Sequence, residues 1–173
     1  MPDFASIIKQ GSGGNYRDQL GQHIKNKALP LCFRPPTSTK GNCWYDGVAD
    51  QVKVLGINGR PTTPGTMRKC VMEFLQKNQS LKKNCFNNDD HLLAAFVLTH
   101  SQEGVWTDNA SVIQSATAMF LERNINIVGT SNTSGRGYTT VYGMGDADFQ
   151  SPLWMGYYQN IHYQSLQQVK EIR

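Results

Sequence analysis

The sequence predicts an α+β domain built as a small mixed or antiparallel sheet flanked by helices. Three observations carry this. Apolar residues recur at three- and four-residue intervals through the first two-thirds of the chain. Short strand-like runs crowd the last third. The 173 residues, 39% of them hydrophobic, hold no internal repeat and no linker long enough to split them, which suits one domain with a core of its own.

Residues 1–30 read as a polar lead-in. Gly11–Asn15 is a flexible break, and a helix follows over Tyr16–Lys27. Leu31–Phe33 is a short strand that Arg34-Pro35-Pro36 ends, and Thr37–Asn42 is rich in turn formers. From Cys43, the residues Tyr45, Val48, Val52 and Leu55 fall at helical spacing, with Cys43 on the first turn; Gly56 and Asn58-Gly59 stop that helix. Thr63-Pro64 starts the next helix, N-cap then proline, which runs through Met67, Val71, Phe74 and Leu75 to about Asn78. Asn87–Asp90 leads into a third helix, Asp89–Thr99. Gly104-Val105-Trp106 turns the chain, and Thr107 or Asp108 caps a fourth helix whose inner face carries Val112, Ala116, Met119 and Phe120.

Strands then take over. Ile125–Val128 alternates, Thr130–Gly137 is a loop, and Tyr138–Tyr142 is a second strand. An acidic turn, Gly143–Asp148, precedes a strand at Leu153–Tyr158. Gln159-Asn160 is a tight turn, Ile161–Leu166 is the last strand, and Gln167–Arg173 is a polar tail, frayed or helical.

Composition excludes several classes. No apolar run approaches the roughly 20 residues that cross a bilayer. The start MPDFASIIKQ lacks the basic n-region and long apolar core of a signal peptide. Cys32, Cys43, Cys70 and Cys85 form no CxxC pair, and His91, His100 and Cys85 give no zinc spacing. The cysteines read as free thiols in a reducing, cytoplasmic compartment, with no metal and no cofactor. No Walker loop or dinucleotide fingerprint is present. The net charge of +4 is uneven: residues 1–86 hold 13 Lys/Arg against 5 Asp/Glu, and residues 87–173 hold 4 against 8. The basic residues are scattered, so the expectation is a solvated basic surface rather than a nucleic-acid footprint.

One place carries chemistry. A cysteine on the first turn of a helix meets the positive end of the macrodipole, which favours the thiolate. The Gly41-Asn42 turn before it aims backbone N–H groups at the same spot, where they can hold an oxyanion. Taken alone, a cysteine such as Cys43 is more often a buried structural thiol.

The flanking residues decide between these. Thr39-Lys40-Gly41-Asn42-Cys43-Trp44-Tyr45 resembles the Asp-Gly-Asn-Cys-Leu-Phe/Tyr signature of the ovarian tumour (OTU) family of cysteine proteases. Further blocks agree in order. Thr66–Asn78 is similar to the family's second helix. Gly104–Asn109 followed by Ile113–Ala116 looks like its Trp-Gly-Gly or Trp-Ala-Asp turn and helix, and Ile125–Val128 like the strand after it. Pro152–Tyr158 and Ile161–Leu166 resemble its closing strands, which end in His-Tyr-Asn/Asp-Ser. The resemblance spans about Leu31 to Leu166.

It implies a papain-like OTU fold, with residues 31–173 as the catalytic domain after the lead-in. It implies a thiol-dependent hydrolase that cuts after the C-terminal Gly-Gly of ubiquitin or a ubiquitin-like protein. Cys43 is then the nucleophile and His162 the general base, while Lys40, Gly41 and Asn42 form the oxyanion loop. The third group, which accepts the imidazole N–H, is expected at Gln164, where relatives carry Asp or Asn; Asp146, Asp148 or a backbone carbonyl are the alternatives. Lys40 stands where relatives usually carry an acid. These departures leave a second reading, a module of the same fold that binds ubiquitin without cleaving it. Trp106 and Asp108 are expected to pack and to cap. The family it resembles occurs in eukaryotes, in viruses and in bacteria whose effectors act in a host cytoplasm.

Overall fold

Among the described residues, five strands order the fold. β1 (Leu31–Phe33), β2 (Ile125–Gly129), β3 (Tyr138–Val141), β4 (Leu153–Tyr158) and β5 (His162–Gln168) form one sheet in the order β1-β5-β4-β2-β3. β2 and β4 run parallel and the other neighbours antiparallel, so the sheet is mixed. The computed structural model describes residues 13–37, 41–106, 110–130, 135–158 and 162–169.

Among the described residues, six helices flank the sheet: α1 (Gly13–Asn26), α2 (Cys43–Leu55), α3 (Pro64–Lys77), α4 (Gln79–Phe86), α5 (Asp90–His100) and α6 (Ala110–Leu121). The two-residue period of β4 divides its side chains between two cores. Leu153 and Met155 enter the larger one, with Trp44, Val48 and Val52 of α2, Met67 and Val71 of α3, and Ile113 of α6. Trp154 and Tyr158 enter the smaller one, with Leu20 and Ile24 of α1 and with Leu166. Being covered on both faces, β4 reads in sequence as an apolar run rather than an alternation. The lead-in helix thus closes one face of the sheet. Leu20 is fully buried, and burial of a leucine contributes roughly 1.5–3 kcal/mol.

The α+β layout matches the expectation, and the elements differ in four places. α1 begins at Gly13, inside the glycine-rich break. α4 is a separate helix that apolar periodicity does not reveal, because only Leu81 and Phe86 of its eight residues are buried; Asn78 starts it by accepting the Leu81 N–H at 2.9 Å. The acidic turn contains a short 3-10 helix, Gly145–Phe149. Gln167 and Gln168 extend β5 rather than fraying, since Cys32 and Leu31 of β1 pair with them. The turn at Gln159-Asn160, the capping pair Thr107 and Asp108, and the tail beyond Val169 lie outside the described residues.

Helix α2 is stitched to the sheet by polar contacts. The buried Gln51 donates through Nε2 to Ser165 Oγ at 2.6 Å and to the Leu166 carbonyl, and its Oε1 accepts the Trp154 N–H at 2.9 Å. The residue before it, Asp50, takes a two-pronged hydrogen bond from Arg34, at 3.0 and 3.2 Å. The helix that starts with Cys43 and the strand that starts with His162 are therefore fixed against each other.

Candidate active site

Cys43 opens α2, and its thiol is 5% exposed among the larger core's side chains. The N–H of Tyr163 donates to Cys43 Sγ at 3.5 Å. That nitrogen belongs to the peptide bond joining His162 to Tyr163, so the fold brings the sulfur against the histidine's own backbone. The N–H groups of Trp44 and Cys43 also face the sulfur. Together the three amides make a nest for negative charge at a helix N-terminus.

The electrostatic balance differs from the simple macrodipole expectation. Burial raises the Cys43 thiol above its ordinary 9.0, the three amides pull it back down, and the carboxylate of Asp46 raises it further. Burial likewise lowers His162 below 6.5, opposed by Asp46. Desolvation outweighs the amide nest at Cys43 and the Asp46 carboxylate at His162, because it penalises whichever group is charged. Both directions favour the neutral forms near pH 7, the Cys43 thiol and the uncharged His162 imidazole.

His162 is 7% exposed and begins β5, beside the Tyr158 ring. Its Nε2 lies 2.9 Å from Thr37 Oγ1, and that hydroxyl donates to the Tyr163 carbonyl at 2.6 Å. Gln164, named from sequence as the imidazole partner, occupies a different contact. Its Nε2 donates to the Arg34 carbonyl at 2.7 Å, which ties β5 to the end of β1. The hydroxyl on the ring nitrogen is Thr37's. Asp146 and Asp148 lie in the 3-10 helix at the far side of the sheet, where Asp148 accepts from Asn124.

The loop before Cys43 is held from outside. Gly41 has φ +71°, and a Cβ there would overlap the Gly104 carbonyl, so the approach of the two loops requires glycine. The side chain of Asn42 bridges this approach: its Oδ1 accepts from Gly104 N–H at 2.9 Å and from Arg68 Nη2 at 2.7 Å. Arg68 also donates to Gly41 O, His100 O and Val105 O, each at 2.9 Å, and lies over the Tyr45 ring. Lys40 lies outside the described residues.

Aromatic rings close the floor. Tyr163 packs edge-on to Trp44 and Trp106, stacks on Tyr157, and receives a hydrogen bond on its hydroxyl from Gln114 at 2.7 Å. Trp106 packs as expected. The structure thus brings Cys43, His162, Gly41 and Asn42 together and adds Thr37 and Arg68. Arg68 had a sequence signal, an arginine in an otherwise apolar stretch of helix face. Thr37 had none, since its partners lie far along the chain. Among the described residues, no group of three or more His, Cys, Asp or Glu is placed to hold a metal ion.

The model of one protein family, OTU-like cysteine protease, matches residues 38–166. No match was found among curated proteins. Solved structures share the fold. The OTU domain of OTUD1 aligns with a TM-score of 0.60 at 14% identity, over 88% of this chain and 94% of that one. An OTU deubiquitinase from Wolbachia pipientis wMel aligns at 0.58 and 14% identity, over 81% and 90%. An OTU deubiquitinase from Wolbachia pipientis wMel bound to ubiquitin aligns at 0.57 and 14% identity, over 80% and 96%. The viral OTU domain protease of Dera Ghazi Khan virus aligns at 0.58 and 16% identity, over 81% and 82%.

Proposed function

The chain belongs to the family of OTU-like cysteine proteases, and from that premise we propose that it is a deubiquitinase, hydrolysing the bond after the C-terminal Gly-Gly of ubiquitin or a ubiquitin-like protein. The observation that carries the reading is the placement of Cys43 Sγ on the peptide of His162, inside a nest of three backbone amides. The same fold in the Wolbachia enzyme, solved with ubiquitin bound, supports the choice of partner.

In this mechanism His162 takes the thiol proton as Cys43 attacks the carbonyl carbon of the second glycine of Gly-Gly. The neutral resting pair makes His162 a general base at the moment of attack rather than half of a standing ion pair. Negative charge moves to the carbonyl oxygen, where the amides of the loop over residues 40–42 and of the first turn of α2 receive it. The imidazolium then protonates the leaving lysine amine. Water, activated by the same imidazole, frees the ubiquitin carboxylate from the thioester.

The second reading, a module that holds ubiquitin without cleaving it, draws on the same burial: a raised thiol and a lowered imidazole both slow thiolate formation. The two are separated with ubiquitin carrying an electrophilic C-terminus. The protease is expected to form a covalent adduct that Cys43→Ala abolishes, and to cleave diubiquitin. Reversible binding with no adduct and no cleavage would support the module, and no binding at all would remove ubiquitin as the partner.

A further inference from the structure

We propose that Thr37 is the residue that orients His162, its hydroxyl accepting the imidazole Nε2–H and so fixing the tautomer in which Nδ1 carries the basic lone pair. The inference rests on the reading of His162 as the general base.

The assignment follows from counting protons. Among the described residues, Thr37 Oγ1 has two polar neighbours, the Tyr163 carbonyl oxygen at 2.6 Å and His162 Nε2 at 2.9 Å. A carbonyl oxygen only accepts, so the single hydroxyl proton goes to Tyr163. What remains toward the ring is a lone pair, and a ring nitrogen facing a lone pair at that distance must itself carry the hydrogen. The neutral imidazole is then protonated on Nε2 and basic on Nδ1. Because the carbonyl that takes the Thr37 proton belongs to the residue after His162, one hydroxyl holds both the ring and its backbone.

Three features make this device rigid. Thr37 is 9% exposed and His162 7%, so water competes poorly for the contact. Threonine is stiff at χ1, and Pro35 and Pro36 restrict the chain that delivers it. Gln164 holds the Arg34 carbonyl at 2.7 Å, three residues upstream, and so anchors the segment that carries Thr37. Gln164 supports the orienter and does not replace it. Among the described residues, the titratable groups that face the ring are Asp46 from α2 and Tyr158 from β4, and the Cys43 sulfur lies on the peptide that follows His162; Asp46 favours the imidazolium. Thr37 supplies direction and Asp46 supplies charge, the two tasks that one carboxylate performs in a Ser-His-Asp triad.

The test compares wild type with Thr37→Val, which keeps the shape and removes the acceptor, and Thr37→Ser, which restores it. Three quantities are read: the 15N imidazole spectrum of His162, the rate of Cys43 alkylation by iodoacetamide across pH 5–9, and kcat and KM on ubiquitin with a fluorogenic C-terminal amide. Thr37→Val is expected to lose the single Nε2–H signature, to slow alkylation, and to lower kcat roughly five- to thirtyfold with KM little changed, as the loss of one net hydrogen bond implies. Thr37→Ser is expected to recover most of all three. An unchanged spectrum with alkylation and kcat within about twofold of wild type would overturn the proposal. Should Thr37→Val fail to fold, judged by its unfolding transition, Thr37→Ala is read in the same way. A wild-type protein that ignores the ubiquitin substrate would sink the proposed function, while the spectrum and the alkylation rate would still decide the role of Thr37.

Discussion

Arg68 Nη2 donates to Asn42 Oδ1 across 2.7 Å, and that bond puts the residue before Cys43 under the control of helix α3. The same guanidinium reaches Gly41 O on one side and His100 O and Val105 O on the other. The loop that meets the developing oxyanion is thus shaped from behind, by a buried cation, as much as by its own turn. Asn42 is a working side chain here, accepting two hydrogen bonds, and not merely a carrier of its backbone N–H.

Arg68→Met should therefore cost about 2–4 kcal/mol of stability, because it leaves four acceptors without their shared donor. Arg68→Lys should recover little, since an ammonium cannot serve a planar set of acceptors and lies less well over Tyr45. Asn42→Ala should cost about 1–3 kcal/mol, and Asn42→Asp less, as a carboxylate still accepts from Arg68 and Gly104. Yet Asn42→Asp should lower turnover, because it sets a negative charge beside the oxyanion. Urea unfolding together with kcat measures the two effects separately; equal losses of kcat in Asn42→Ala and Asn42→Asp would show that charge plays no part.

Cys43→Ala should reduce hydrolysis to background and leave the fold intact. The buried sulfur leaves a void of about one methyl group, worth ~1 kcal/mol. Cys32 and Cys85 are exposed, so Cys32→Ser and Cys85→Ser should keep turnover within about twofold, as surface changes usually do. Turnover near wild type in Cys43→Ala, on a substrate that the wild type cleaves, would overturn the assignment of the nucleophile.

What the sequence made legible, and what it did not, divides along contact range. The helix at Cys43 and the strand at His162 announce themselves by local period, and their flanking residues carry a family likeness. Gln51 and Thr37 look like ordinary polar residues in any local window. Each acquires its role from β5, which closes the chain more than a hundred positions later. Gln164 shows the converse. Two positions after His162 it lies on the same face of the strand, which is the right place for an imidazole partner. But β1 also borders β5, and the Arg34 carbonyl beyond its last residue needs a donor. A buried carbonyl without a partner costs free energy, so the amide goes there.

The pH dependence follows from burial. Because the Cys43 thiol is raised above 9.0, the midpoint of its alkylation rate against pH should lie above that of an unburied thiol, which falls near pH 9. For stability, His162 and His100 are both lowered from 6.5, chiefly by desolvation. Between those lowered values and 6.5 the unfolded chain binds more protons than the folded one, so stability rises with pH through that window. It is fully present above about pH 6.5 and is lost as pH falls toward the folded-state values. Urea midpoints at pH 5.5 and 7.5 should differ in that direction for wild type, and the difference should shrink in the double variant His100→Gln, His162→Gln. An unchanged difference would place the acid sensitivity in the carboxylates instead.

Gln164 offers the sharpest contrast between a role read from sequence and one read from contacts. Were its carbonyl the imidazole partner, Gln164→Glu would be tolerated or improved, because a carboxylate holds an imidazolium better than an amide does. With its amide nitrogen on the Arg34 carbonyl at 2.7 Å, the outcome reverses. Glutamate has no donor there, so Gln164→Glu sets two acceptors against each other at a site that is 1% exposed and should cost about 1–3 kcal/mol or more. Gln164→Ala should also destabilise, by the lost bond and the void. In both variants the loss of kcat should follow the loss of the Thr37 contact, because Arg34 anchors the segment that delivers Thr37. Adding Thr37→Val to Gln164→Ala should then cost less than the two single effects summed, as expected for residues acting through one device. Full additivity in that double-mutant cycle, or a Gln164→Glu enzyme faster than wild type, would return the orienting role to Gln164.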